Sequence, residues 1–191
     1  MKTQASLALL SLTACLTLGC EPEGGSNTPD GGDSASAAGG ECKYKELDIT
    51  LPDINEDDYT VTSRTKDDLH IVCFWAVWCT PCQAELKKMA PMWEEMKDRG
   101  LNVYAVSTDG PDTASRVAGF AQQEGYPFPV LMDRETTLLA KYNPKGDIPF
   151  YVILDADGNV VKSHQGYVKG DMEKLKKELD EMLPPAGGAA E

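Results

Sequence analysis

The sequence predicts a three-layer α/β fold built on a mixed sheet. Three observations predict it. Short apolar runs rich in β-branched residues alternate with helix-forming segments through the first part of the domain. Two further strand-like runs are joined by Asp155-Ala156-Asp157-Gly158, a hairpin turn signal. The last segment places Met172, Leu175, Leu179 and Leu183 on one helical face. Strand-helix-strand-helix followed by a hairpin and a helix is the order of a mixed sheet covered by helices.

The elements follow in order. Leu47 to Ile54 and Tyr59 to Thr65 read as short strands, and Leu69 to Val77 as a buried central strand. Cys79 to Arg99 reads as a helix that Pro91 should kink and Gly100 should end. Leu101 to Ser107 is a second buried strand. Asp112 is the expected cap of a helix running to Glu124, with Gly125 as its stop. Phe128 to Met132 reads as a strand, and Asp133 as the cap of a short helix ending at Tyr142. Phe150 to Leu154 and Asn159 to Ser163 form the hairpin. Asp171 is the expected cap of the last helix.

The chain has 191 residues, a net charge of -13 and a pI near 4.5. That balance argues against nucleic acid, because nothing would neutralise phosphates, and against docking on anionic lipid. The start reads as a leader over residues 1–20: Met1-Lys2 is positive, and Ala5 to Leu18 is mostly apolar but too short to span a bilayer. Its end, Leu18-Gly19-Cys20, resembles a bacterial lipoprotein signal, which implies lipidation of Cys20. Leu12-Thr13-Ala14-Cys15 is a competing box. Residues 21–41 hold no large apolar side chain and read as a flexible tether of roughly 25 Å. The domain is expected over residues 42–183. Pro184-Pro185 then opens a disordered tail, residues 184–191.

The stretch with chemistry is Trp78-Cys79-Thr80-Pro81-Cys82, at the junction of the central strand and its helix. The Cys79 sulfur would lie at the helix N-terminus, where free N–H groups and the helix dipole favour a thiolate. Cys82 is one turn in, close enough to attack a mixed disulfide at Cys79. The pair is a two-electron dithiol/disulfide device. Zinc would need a second ligand pair, which is not apparent. Cys73 reads as a core residue and Cys42 as an odd thiol. His70 and His164 read as satisfied or exposed rather than catalytic, and Glu94-Glu95 and Glu173 to Glu181 as solvated surface.

Phe74-Trp75-Ala76-Val77-Trp78-Cys79-Thr80-Pro81-Cys82 resembles the active-site segment of thioredoxins, and most closely that of the TlpA/ResA-like envelope thioredoxins. Pro91, the Gly146-Asp147-Ile148-Pro149-Phe150 loop and the terminal hairpin-helix extend the resemblance over about residues 42 to 183. It implies a thioredoxin fold, with Asp109 to Tyr142 as the TlpA-like strand-helix insertion. It also implies a cis Pro149 beside the disulfide, a substrate-binding surface of Trp78, Pro81 and Ile148, and no cofactor or metal. Trp75 and Trp78 would wall the site. Thioredoxins keep a buried Asp where this chain has Cys73. The proton acceptor for Cys82 must therefore lie elsewhere, and Glu85 is the candidate. It stands three residues on, along the same helix face, and matches an acidic position of the ResA-like branch. The chain also departs from the family at Phe150, where relatives carry a small hydroxyl residue.

The function these residues imply is a membrane-tethered thiol-disulfide oxidoreductase of the cell envelope. By resemblance it reduces protein disulfides and is recycled by an electron donor in the membrane. Two other readings start from related folds. A copper carrier of the Sco type would use Cys-x-x-x-Cys and a distant His, here with shorter spacing and His164. A thiol peroxidase would use a lone peroxidatic Cys in a Pro-and-Thr loop, which has no match in this sequence.

Overall fold

A computed structural model describes residues 45–186. Cys15, Cys20, the tether over residues 21–41 and Cys42 lie outside the described residues. Among the described residues, seven strands and four α-helices form in the order β1 (Lys45–Pro52), β2 (Asp58–Ser63), β3 (Leu69–Trp75), α1 (Thr80–Met96), β4 (Leu101–Ser107), α2 (Val117–Glu124), β5 (Val130–Met132), α3 (Thr137–Tyr142), β6 (Phe150–Leu154), β7 (Val160–Gln165) and α4 (Asp171–Met182). β1 and β2 form an antiparallel hairpin. The other strands form one mixed sheet in the order β5-β4-β3-β6-β7. β5, β4 and β3 run parallel, and β6 and β7 run antiparallel to their neighbours.

The pleat of the central strands divides the core into two layers. Ile71, Cys73 and Trp75 of β3 join Val103 and Ala105 of β4 and Tyr151 and Ile153 of β6. They pack under Leu86 and Met89 of α1 and Leu175 and Leu179 of α4. Val72 and Phe74 point the other way and join Val106, Val152, the hairpin residues Leu47, Ile49 and Val61, and Leu138 and Leu139 of α3. β3 is buried along its whole length, as its unbroken apolar run requires.

Several boundaries differ from the sequence expectation, each for a local reason. α1 stops at Met96 and tightens into a 3₁₀ turn, Lys97–Arg99, before Gly100 at φ 99°. Asp112 caps nothing. The chain makes tight turns back to the Gly110 carbonyl and a 3₁₀ turn over Ala114–Arg116, so α2 begins only at Val117. β5 is shortened to Val130–Met132 and follows directly on Pro129. Asp133 lies three residues before the N-cap, Thr136, of a helix that starts only at Thr137, yet its carboxylate accepts from the Leu138 and Leu139 N–H groups at 3.2 and 2.8 Å. Asp171 is the first residue of α4 rather than its cap, and its carboxylate turns back to accept from Val168 N–H at 2.7 Å.

Two contacts fix the ends of the described chain. Lys45 Nζ meets Asp157 Oδ1 of the β6–β7 turn at 2.5 Å. Arg99 donates to Asp180 Oδ1, to the Leu183 carbonyl and, at 2.7 Å, to the Pro184 carbonyl. The expected tail is therefore held at its first residue. The acidic helix faces are exposed but not bare: Glu94, Glu95 and Glu178 pair with Lys97, Lys176 and Lys162.

Candidate active site

The site forms where β3 ends and α1 begins. The first N–H groups of a helix have no partner within it, and here the Cys79 sulfur caps one, accepting from Cys82 N–H at 3.3 Å. Pro81 stands in the first turn of α1, where a missing N–H costs nothing. Cys79 and Cys82 are joined as a disulfide with Cα atoms 5.3 Å apart. Cys82 is fully buried and Cys79 nearly so, while Trp78 is 64% exposed and Thr80 and Pro81 are exposed beside it. Only a rim of the disulfide therefore meets solvent, framed by an indole and a proline.

The Ile148-Pro149 peptide is cis. Phe74 pairs with Phe150 across β3 and β6, so Pro149 sits at the same end of the sheet as the redox loop. Pro149 is buried. Ile148 is partly buried and packs against the core cluster that contains Cys79 and Cys82. Sequence reasoning missed what steadies this loop. The buried Asn143 donates to the Asp147 carbonyl and to Gln165 Oε1, both at 2.9 Å. Gln165 Nε2 and Gly166 N–H in turn donate to the Pro149 carbonyl at 2.9 and 2.8 Å. Asn143→Ala is expected to cost about 1–3 kcal/mol by stranding these groups. It would be read as a lower urea midpoint at unchanged slope.

Glu85 is 1% exposed, and its Oε1 has no hydrogen-bond partner. Burial, reinforced by the Asp171 charge, pushes its pKa up to about 8. Glu85 stands one turn after Cys82 on α1, on the same buried face of the helix. Cys73, at the position of the missing aspartate, is fully buried and donates its thiol hydrogen to Met89 Sδ at 3.1 Å. Burial, and then the charge of Glu85, push the Cys73 thiol well up, which leaves it a poor nucleophile.

The other aromatic and histidine candidates sit elsewhere. Trp75 is wholly buried between Phe120 and Tyr126, with ring centroids at 5.7 and 5.6 Å, and is a core residue. His70 is buried between Ser63 Oγ at 2.7 Å and Tyr104 OH at 3.3 Å, and burial holds its pKa down. His164 stacks on Tyr151 and contacts Asp171 Oδ2 at 3.2 Å. Among the described residues it is not gathered with Cys79 and Cys82 into a metal-binding cluster.

The family model described as "AhpC/TSA family" matches residues 44–163, well over half of the chain. The chain belongs to the AhpC/TSA family. This AhpC/TSA chain is 32% identical over 110 residues to "Thiol-disulfide oxidoreductase ResA" of Bacillus thuringiensis (strain Al Hakam), a match covering 58% of each protein. It thus spans less than two thirds of that relative's length. Among solved structures it is similar to an uncharacterized thioredoxin-like protein from Porphyromonas gingivalis, with a TM-score of 0.58 and 29% identity, covering 71% of this chain and 89% of that one. It is also similar to StoA from Bacillus subtilis, with a TM-score of 0.54 and 22% identity, covering 68% and 93%. The AhpC/TSA chain has the thioredoxin fold, with α2, β5 and α3 lying between β4 and β6.

Proposed function

We propose that this chain is a thiol-disulfide oxidoreductase of the bacterial envelope that reduces protein disulfides. The observation that carries the reading is the Cys79–Cys82 disulfide at the N-terminus of α1, with buried Glu85 one turn below it. The ResA relative supports the same activity. In the reducing direction the Cys79 thiolate attacks one sulfur of a substrate disulfide and releases the other as a thiolate. Glu85 takes the proton of Cys82, whose sulfur then attacks Cys79 Sγ. The second substrate thiolate leaves and the Cys79–Cys82 disulfide closes. Both electrons have then passed to the substrate, so a donor in the membrane must reopen the pair. Trp78, Pro81 and Ile148 offer the substrate its docking surface, and Pro149 packs at the disulfide.

The reading includes a leader over residues 1–20, lipidation at Cys20, a tether over 21–41 and a redox domain over 42–183. The deciding experiment is the reduction potential of the purified protein in a dithiothreitol redox buffer. A reductant is expected to give a value near about −270 mV, at the thioredoxin end of the scale. A value near about −120 mV would reverse the direction and make it a disulfide donor. Absence of any reversible two-electron couple at Cys79 and Cys82 would end the oxidoreductase reading.

A further inference from the structure

The loop between β3 and α1 is gripped from a side the redox chemistry does not use. β3 and β4 pair in register as far as Trp75 and Ser107. Beyond that point the backbone ladder is continued by Thr108, whose N–H and Oγ1 both donate to the Trp75 carbonyl, at 2.9 and 3.2 Å. Asp109 comes next and is wholly buried. Its Oδ2 accepts from Val77 N–H at 2.9 Å and from Ser107 Oγ at 2.9 Å. Its own N–H donates to Ser107 Oγ at 3.1 Å, which fixes the carboxyl against its own strand. The Val77 carbonyl is taken by Gln83 Nε2 of α1 at 2.8 Å. Both backbone polar groups of Val77 are therefore held by side chains. Two residues later comes Cys79, whose N–H bonds the Ala76 carbonyl at 3.0 Å.

We infer that Asp109 is a positioning residue for the redox loop, holding Val77 so that Cys79 stays poised over Cys82. The inference rests on the proposed oxidoreductase reading for its consequence and on the Val77 contacts for its geometry. A buried carboxyl with an oxygen left unpartnered costs free energy. A side chain chosen only to fill space would not carry that cost. What the contact supplies is order: with the loop already fixed in the dithiol form, closing the disulfide loses less conformational freedom. Releasing Val77 lowers the effective concentration of one sulfur at the other and disfavours the disulfide.

The test uses the full-length protein with Asp109→Ala and Asp109→Asn. Asp109→Ala is expected to lower the equilibrium constant for disulfide closure about tenfold, which is about 30 mV toward less reducing potentials. It should also lower the hydrogen-exchange protection of the Val77 amide by about the same factor or more. Asp109→Asn keeps an oxygen that accepts from Val77 N–H and is expected to restore both to within about twofold of wild type. A purely structural role would reduce melting temperature in the oxidised and reduced forms alike and leave the potential unmoved. A wild-type potential in a folded Asp109→Ala protein overturns the inference, as does failure of Asp109→Asn to recover it. Should Asp109→Ala not fold, Ser107→Ala removes the hydroxyl that steadies the carboxyl. It must then shift the potential in the same direction, and a wild-type value counts against the inference. Should the wild-type protein show no redox couple, the oxidoreductase reading fails, and Val77 protection in the variants still decides whether Asp109 holds the loop.

Discussion

Cys79→Ser is expected to abolish disulfide exchange, with a fall of roughly three orders of magnitude or more in the rate of substrate reduction. The attacking species is a thiolate at a helix N-terminus, and a serine hydroxyl does not ionise there. Cys82→Ser gives a different and more telling result. The Cys79 thiolate still attacks, but nothing resolves the mixed disulfide, so a covalent adduct with a disulfide substrate accumulates. Mass spectrometry of the two variants checks the order of events. An adduct on Cys79→Ser rather than on Cys82→Ser would exchange the roles of the two cysteines. Wild-type turnover in either variant would remove the pair from the mechanism.

The second large effect belongs to Glu85 and has two readouts. Burial, helped by the Asp171 charge, raises its pKa from 4.5 to about 8 in the folded protein. In the unfolded chain the carboxyl titrates near its ordinary value, so between those limits the native state holds a proton that the unfolded state has released. Folding stability from this group is fully present below about pH 4.5 and is lost as pH rises toward 8. The slope is at most about 1.4 kcal/mol per pH unit, so several kcal/mol in all. Glu85→Gln keeps the shape without the ionisation. Its urea-derived stability should match wild type in acid, exceed it above pH 8, and show a flatter profile between. Parallel profiles for the two proteins would show that the buried carboxyl does not titrate in this window. In the reduced protein the same change removes the proposed acceptor for the Cys82 proton and is expected to slow disulfide closure by about 10²-fold. An unchanged pH profile of thiol alkylation would take Glu85 out of the chemistry.

Local patterns in the sequence carried the sheet well. The bounds of β4 and β6 are those expected, because an unbroken apolar run between turn residues has few other solutions. Asp155 behaves as a turn aspartate should, accepting from Asp157 and Asn159 N–H. Those bonds draw Asn159 into the turn, so β7 begins one residue later than expected. Cys79 and Cys82 were legible as a motif of consecutive residues, and the cis Pro149 only through the resemblance to thioredoxins. Glu85 was legible by its spacing, but its depth was not. An acid in the second turn of a helix reads as exposed until α4 and its Asp171 are known to approach it. Asp109 and Asn143 were not legible at all. Their partners, Val77 and Gln165, stand 32 and 22 residues away and meet them only once the sheet has formed. A polar residue that serves a distant loop leaves no local period to read.

The two end contacts have a consequence for presentation. Lys45 is pinned to the β6–β7 turn, and that turn lies beside the first residues of β3, since Leu154 pairs with His70. Arg99, which clasps the Pro184 carbonyl, directly precedes the first residues of β4. Both ends of the described chain thus leave from one pole of the sheet, and Cys79 lies at the other, beyond Trp75. An attachment reached from Lys45 or from Pro184 would leave the sheet at the pole opposite the disulfide. The length and stiffness of the attachment then set how far, and in which directions, the reactive pole can range.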